Sequence, residues 1–286
     1  MLSSLMNSSR WCPSAMGVTL TPRRWDAGKR SSSLESLTRG SMGSTPFLSI
    51  IIPAYNEEKR LPHTLERLDH YLKKQTYRYE VLVIDDGSSR QSVQVVQHGL
   101  SRLFDGYGIL LQNERNRGKG YSVRRGVLHS RGEYVLFSDA DLSTPIQEVE
   151  KLLDALQQGY DIAIGSRGLD ASDIQVHQPW YRESMGKIFN CIARSLQLTE
   201  FSDTQCGFKC FCGEVARSLF ARQTIEGWSF DVEILFLAAR QKYRITEVPI
   251  QWFDEPHSRV NALTDATRMF QDLLRIRYNA WMGKYD

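Results

Sequence analysis

Short apolar runs and helical stripes alternate along most of this chain. Residues 47–53 (Phe-Leu-Ser-Ile-Ile-Ile-Pro) read as a buried strand, stopped by Pro53, which has no N–H for a sheet ladder. Leu61, Leu65, Leu68 and Leu72 then recur at helical spacing. A second strand is predicted over residues 80–84, and Ser88 or Ser89 is placed to cap a helix running toward Leu103. Residues 109–111 make a weaker third strand, followed by a helix through Val123 and Val127. Residues 134–137 are a fourth strand, and Ile146, Val149, Leu152, Leu153 and Leu156 mark the next helix face. Residues 162–164 are a fifth strand. This alternation predicts an α/β fold with a mostly parallel sheet covered on both faces.

The second half is less regular. Tyr181, Met185, Ile188, Phe189, Ile192 and Leu196 form a helical stripe, and residues 207–211 read as a short strand. Residues 230–239 are predicted helical, 245–252 extended, and 262–281 helical, with Arg268, Arg275 and Arg277 on the last helix. Such arginines are a solvated face or a contact for an anionic lipid surface. Residues 1–46 are rich in Ser, Arg and Gly and show no sustained period. They fit a disordered tail, a transit peptide, or a mis-set start with Met42 as initiator. The organisation expected is a tail over 1–46 and one domain over 47–286, with a nucleotide half (47–167) and an acceptor half (168–286).

The chemistry gathers where strands stop. Pro53-Ala54-Tyr55-Asn56-Glu57, Asp85-Asp86-Gly87-Ser88, Asn116-Arg117-Gly118-Lys119-Gly120, Asp139-Ala140-Asp141 and Gly165-Ser166-Arg167 all follow apolar runs. In a parallel sheet these ends share one crevice. Several carboxylates in one crevice repel each other unless a cation is present, and a divalent metal bridging phosphates meets that need. Each motif alone is weak: Asp85-Asp86-Gly87 is also an ordinary turn, and Asp139 is also a plausible structural cap. The chain has neither the spacing of a Walker loop nor a dinucleotide fingerprint.

The serial order of the five motifs resembles inverting glycosyltransferase family 2, with its GT-A fold: a Rossmann-like nucleotide half and an acceptor half. Residues 203–209 (Asp-Thr-Gln-Cys-Gly-Phe-Lys), 227–233 (Gly-Trp-Ser-Phe-Asp-Val-Glu) and 247–252 (Glu-Val-Pro-Ile-Gln-Trp) are similar to the branch that glucosylates dolichyl phosphate. A sister branch transfers mannose from GDP-mannose. The resemblance spans about residues 48–278. It implies transfer of glucose from UDP-glucose to dolichyl or another polyprenyl phosphate, with Mg2+ or Mn2+. Pro53, Tyr55 and Glu57 would line the nucleotide pocket, and Asp85 and Asp86 would hold uracil and ribose. Lys119 would approach the donor phosphates. Asp141 would be the direct metal ligand, and Asp139 its partner or a ribose contact. Arg167 would face the acceptor phosphate. Asp203, Gln205 and Lys209 would border the sugar and acceptor. Trp228, Asp231 and Glu233 would shape the far wall, although Trp228 also suits a core and the two acids also suit a helix start. For a hydroxyl acceptor, Asp203 and Asp231 are the candidate bases. Ser143 stands where the mannose branch usually has Gln, which favours glucose.

Composition adds limits. A net charge of +3 and no interleaved basic–aromatic tract give no reason to expect nucleic acid. Five cysteines without paired spacing suit a reducing, cytoplasmic compartment. No apolar run approaches the roughly 20 residues of a membrane span. Membrane contact is therefore expected to be peripheral, on the cytoplasmic face, or supplied by a membrane-embedded partner. The branch's usual N-terminal anchor is not legible in the tail, so a soluble acceptor is the alternative; a non-catalytic nucleotide-sugar module is a further one, against which the presence of Asp139, Asp141 and Arg167 speaks.

Overall fold

The computed structural model describes residues 45–176, 180–253 and 264–286. The expectations for the N-terminal tail lie outside these residues. The first half follows the predicted order: β1 (Leu48–Ala54), α1 (Leu61–Leu72), β2 (Tyr79–Asp85), α2 (Arg90–Leu103), β3 (Gly108–Gln112), α3 (Lys119–His129), β4 (Tyr134–Ser138), α4 (Val149–Gln157) and β5 (Ile162–Ser166). A short 3-10 turn, Ile146–Glu148, leads into α4. Ser89 is the residue that caps α2, its hydroxyl accepting from the Ser92 amide at 3.3 Å.

Then come β6 (Asp173–Val176), α5 (Trp180–Ser195), β7 (Phe208–Cys212), α6 (Gly213–Ala221), α7 (Phe230–Arg240), β8 (Ile245–Pro249), β9 (Gln251–Phe253) and α8 (Thr264–Trp281). Seven strands form one sheet in the order β3-β2-β1-β4-β7-β5-β8, and β6 pairs with β9 in a small second ladder. All pairs in the main sheet are parallel except those of β7, which runs antiparallel to both β4 and β5.

Alternation along the strands builds two cores. On β1, Ile50 and Ile52 join Leu65, Leu68, Val83, Leu136 and Leu152 under α1, α2 and α4. Ile51, one residue away and so on the other face, joins Leu82, Val123, Phe137, Phe220, Phe230 and Leu273 under α3, α6, α7 and α8. Helix α7 is buried from Phe230 through Ala238, as a helix apolar on nearly every side must be.

Three details differ from the sequence reading. Helix α6 and strand β6 were not anticipated, being short elements with mixed polar content. The extended stretch 245–252 is two strands in two different ladders, separated at Ile250. Strand β7 is antiparallel and central, which periodicity cannot reveal. The chain runs outward from β1 through β2 to β3 and then returns to pair β4 with β1. The crevice at such a reversal lies beyond the carboxyl ends of the strands, where α/β sheets bind ligands.

Candidate active site

The predicted motifs do converge at that edge. The Asp139 amide donates to the Gly207 carbonyl at 3.0 Å, joining the end of β4 to the turn before β7. Leu142, buried immediately after Asp141, sits at a left-handed φ of 49°. A non-glycine residue there costs of order 1 kcal/mol or more, a strain concentrated at functional turns. The turn is held by Ser143, whose amide and hydroxyl both donate to Asp141 Oδ1, at 3.1 and 3.0 Å. Asp141 therefore presents its other oxygen to the crevice. Burial and the neighbouring charge of Asp139 raise the Asp141 carboxyl above its ordinary value, against the hydrogen bonds from Ser143 and the charge of Arg60.

Basic side chains ring the two acids. Lys119, at the start of α3, reaches Asp139 Oδ1 at 2.5 Å and lies over the rings of Trp228 and Phe137. Burial works to lower its ammonium, but Asp139, Asp231 and Asp141 together raise it. Lys209, on β7, is 1% exposed and donates to Asp231 Oδ1 at 2.7 Å and to the Cys206 carbonyl at 2.5 Å. Burial raises the Asp231 carboxyl in spite of both lysines. Arg167, just past β5, forks onto Asp203, Nε to Oδ2 at 2.6 Å and Nη2 to Oδ1 at 2.9 Å, and its guanidinium stacks over Trp252. Burial pushes the Asp203 carboxyl up, but Arg167 outweighs it and brings the group down to about 2. The Gln205 amide donates to Asp203 Oδ1, while its side-chain Nε2 is buried without a hydrogen-bond partner among the described residues.

Arg60 is a site residue that periodicity missed. It precedes α1, takes Glu57 in a fork (Nε to Oε2 at 2.7 Å, Nη2 to Oε1 at 2.5 Å), and brings Nη1 to 3.5 Å from Asp141 Oδ2. The Glu57-x-x-Arg60 spacing was its only signal. Glu57 thus touches the acids through Arg60. Gly207 was also missed as a shaping residue: a Cβ there would lie 2.0 Å from Asp139 Oδ2.

Other predicted residues sit differently. Asp86 is buried and saturated: Oδ1 accepts from Asn113 Nδ2 (2.7 Å) and the Arg117 amide (3.0 Å), and Oδ2 from the Gly118 amide (2.8 Å). It moulds the loop that delivers Lys119. Asp85 accepts from the Ser88 amide at 3.1 Å. Pro53 lies within β1, level with Ile84, and Tyr55 is exposed on the loop after it. Glu233 faces away from the charged chain. Its carboxylate accepts from the amides of Thr224 and Ile225, the Thr224 hydroxyl and the Tyr285 hydroxyl. Among the described residues no group of three or more His, Cys, Asp or Glu side chains is placed to cage a metal. The donor set is a pair of carboxylates, the mode in which Mg2+ binds through one or two acids plus substrate phosphates.

The family model of glycosyl transferase family 2 matches residues 49–214. The chain belongs to this family. It is a glycosyltransferase with a GT-A fold. Among similar proteins, the dolichyl-phosphate beta-glucosyltransferase of Mus musculus is 37% identical over 255 residues, covering 84% of this chain and 79% of that protein. The enzyme of the same name from Dictyostelium discoideum is 35% identical over 247 residues, covering 83% and 76%. Glucosyl-3-phosphoglycerate synthase from Mycobacterium tuberculosis, crystallised with Mn2+, UDP and phosphoglyceric acid, superimposes with a TM-score of 0.57 at 16% identity, over 82% of this chain and 78% of that one. No helix among the described residues of this glycosyltransferase is long and apolar enough to cross a membrane.

Proposed function

We propose that this glycosyltransferase moves glucose from UDP-glucose to dolichyl or another polyprenyl phosphate, with inversion, to give a β-glucosyl phosphate lipid. The observation that carries the reading is the shared name of relatives at 32–37% identity over most of the chain. The charge pattern of the site supports it, since three basic side chains (Arg60, Lys119 and Arg167) stand around the acid pair, which suits a reaction between two phosphate-bearing partners.

Asp139 and Asp141 fit a divalent Mg2+ or Mn2+ shared with the donor diphosphate. Such a cation supplies charge to the leaving diphosphate. Ser143 pins one oxygen of Asp141 and so fixes the direction of the other. Lys119 adds a positive charge beside the same acids. Arg167 commits Nε and Nη2 to Asp203, leaving its Nη1 edge for an acceptor phosphate. A phosphate nucleophile is already ionised at neutral pH, so no strong general base is required. Asp203 suits that chemistry as an orienter of Arg167, because a carboxyl held near 2 is a poor proton acceptor. For a hydroxyl acceptor Asp231, with its raised carboxyl, is the better base.

Helix α8 supports a peripheral position on a membrane. Phe270, Leu274, Tyr278 and Trp281 are exposed along one outward stripe. Helical spacing places Arg277 on one side of that stripe and Arg268 and Arg275 on the other. Aromatic and aliphatic residues edged by arginine are the composition of helices that lie in a headgroup layer. The inner side of α8 packs beside the site: Ser229, next to Trp228, donates to the Met269 carbonyl at 3.4 Å.

The test is a donor and acceptor panel. Purified protein with Mn2+, radiolabelled UDP-glucose and dolichyl phosphate in detergent is expected to give an organic-extractable product with the mass of a hexosyl phosphate lipid. GDP-mannose and 3-phosphoglycerate are expected to be poor substitutes. A product with either of these, and none with UDP-glucose and the lipid phosphate, would overturn the reading.

A further inference from the structure

Residues 247–253 approach Arg167 by two routes. Along β8, Val248 pairs with Gly165, and Pro249 with Ser166, the residue before Arg167. From this strand the Glu247 carboxylate reaches the loop before β7. It accepts from the Ser202 amide through both oxygens, at 3.1 and 3.0 Å, and from the Asp203 amide at 3.2 Å. Asp203 is the acid forked onto Arg167, so Glu247 fixes the backbone from which that fork projects.

The second route passes through β9. Pro249 has no N–H to carry the β8 ladder further, and the chain crosses to the second ladder. There Trp252 pairs with Ile174, is 7% exposed, and sets its ring against the Arg167 guanidinium, with Cζ 5.3 Å from the ring centroid. Backbone bonds anchor this platform on both sides. The Gln251 amide donates to Glu148 Oε2 at 3.2 Å, and the Phe253 amide to the Ser143 carbonyl at 2.8 Å. Ser143 is the residue that holds Asp141.

A planar guanidinium has an in-plane direction and a tilt. A carboxylate fork sets the direction, and an aromatic face sets the tilt. Arg167 has both, and both supports trace to one segment. We infer that Glu247 and Trp252 are positioning residues that hold Arg167 in a single orientation for the acceptor phosphate. Glu247 acts through Asp203, and Trp252 through the face of the guanidinium. The inference rests on the proposed function in assigning the acceptor phosphate to Arg167. A tryptophan that only filled the core would tolerate leucine at a cost in stability, with acceptor affinity unchanged.

The experiment measures KM for dolichyl phosphate in detergent and KM for UDP-glucose, with Mn2+ and the full chain, in wild type and three variants. UDP affinity is measured alongside by calorimetry. Trp252→Leu keeps an apolar side chain but loses the ring face, and should raise the lipid phosphate KM about fivefold or more. Trp252→Phe keeps a face and should restore most of that loss. Glu247→Gln loses the charge that draws the two amides, and should raise the same KM about threefold or more. In all three, UDP affinity and the UDP-glucose KM should stay within about twofold of wild type. KM does not depend on the fraction of molecules folded, so a destabilised variant still reports, and Glu247 gives a second variant outside the core. Equal effects of Leu and Phe at 252 would overturn the inference, as would donor and acceptor KM rising together. Wild type that binds UDP but glucosylates no phosphate acceptor would sink the proposed function and the inference with it, whereas normal wild-type turnover with unselective variants would sink the inference alone.

Discussion

Arg167 and Asp203 meet in a fork at the junction of β5 and the loop before β7, with the Arg167 backbone amide adding a third bond at 3.1 Å. Both side chains are largely buried. Breaking such a pair from one side leaves the other charge without a partner. Asp203→Asn is therefore expected to lower unfolding free energy by about 3–5 kcal/mol in urea titrations at pH 7. The pair also sets a pH dependence. The folded Asp203 carboxyl lies at about 2, below its ordinary 3.8, so its contribution is complete above pH 4 and is lost as pH falls toward 2. The gap between wild type and the Asn variant should narrow by about 2 kcal/mol over that interval.

Asp141→Asn separates activity from stability. The Asp141 carboxyl is raised by burial and by Asp139, so in the metal-free chain its ionised form opposes folding at neutral pH. The sign is the reverse of the Asp203 case: that cost is absent below the ordinary value of 3.8, grows as pH rises from there to the raised value, and is constant above it. The amide removes it. Glucosyl transfer should fall by at least two orders of magnitude. The melting temperature of the metal-free protein should hold or rise by one to a few degrees.

Gly207→Ala tests the close approach behind Asp139. A methyl group at this point cannot coexist with the carboxylate, since Oδ2 would be 2.0 Å away. Either Asp139 turns or the segment before β7 shifts. A loss of about 1–3 kcal/mol in stability is expected, with a larger proportional loss in transfer rate. Rates normalised to folded protein, taken from a thermal melt of the same sample, separate the two effects.

Glu233→Gln should behave in the opposite way. Its partners are Thr224, Ile225 and Tyr285, and none belongs to the charged chain around Asp139. The amide can keep some acceptor bonds but loses the charge-assisted ones, a cost of about 1–3 kcal/mol. Transfer per folded molecule should stay within about threefold of wild type. A full loss of kcat with unchanged melting would place Glu233 in the chemistry instead.

The outward stripe of α8 can be tested without turnover. Leu274→Gln with Trp281→Ser removes apolar surface that faces away from both cores. Co-sedimentation with phosphatidylserine-containing vesicles should weaken by an order of magnitude or more. UDP affinity should not change. Arg275→Gln with Arg277→Gln should reduce the binding further at low salt than at high salt.

Much of the fold could be read from the chain because its first half is made of long periodic segments whose two faces alternate in a fixed way. Ile50, Ile51 and Ile52 already declared a strand buried on both sides. The ends of these strands then located Asp139, Asp141 and Lys119 together. What escaped had no local signature. The orientation of β7 is a property of its partners, and α6 is short and mixed in polarity. Arg60 reaches Asp141 only because the turn after β1 folds back over the crevice. Asp86 accepts from two backbone amides and Asn113, and Glu233 from two backbone amides and two hydroxyls, partners that no local pattern in the sequence announces.

Strand β7 lies between β4 and β5 although the chain visits it after both. During synthesis, the first five strands are therefore complete while the slot between β4 and β5 is still empty, and their facing edges have open amides and carbonyls. The crevice acquires Gly207 and Lys209 only when residues 208–212 slide into that slot, roughly forty residues after β5 ends. A nascent chain stopped near residue 200 should therefore bind no UDP and expose two adhesive edges, while one extended past β7 should protect them.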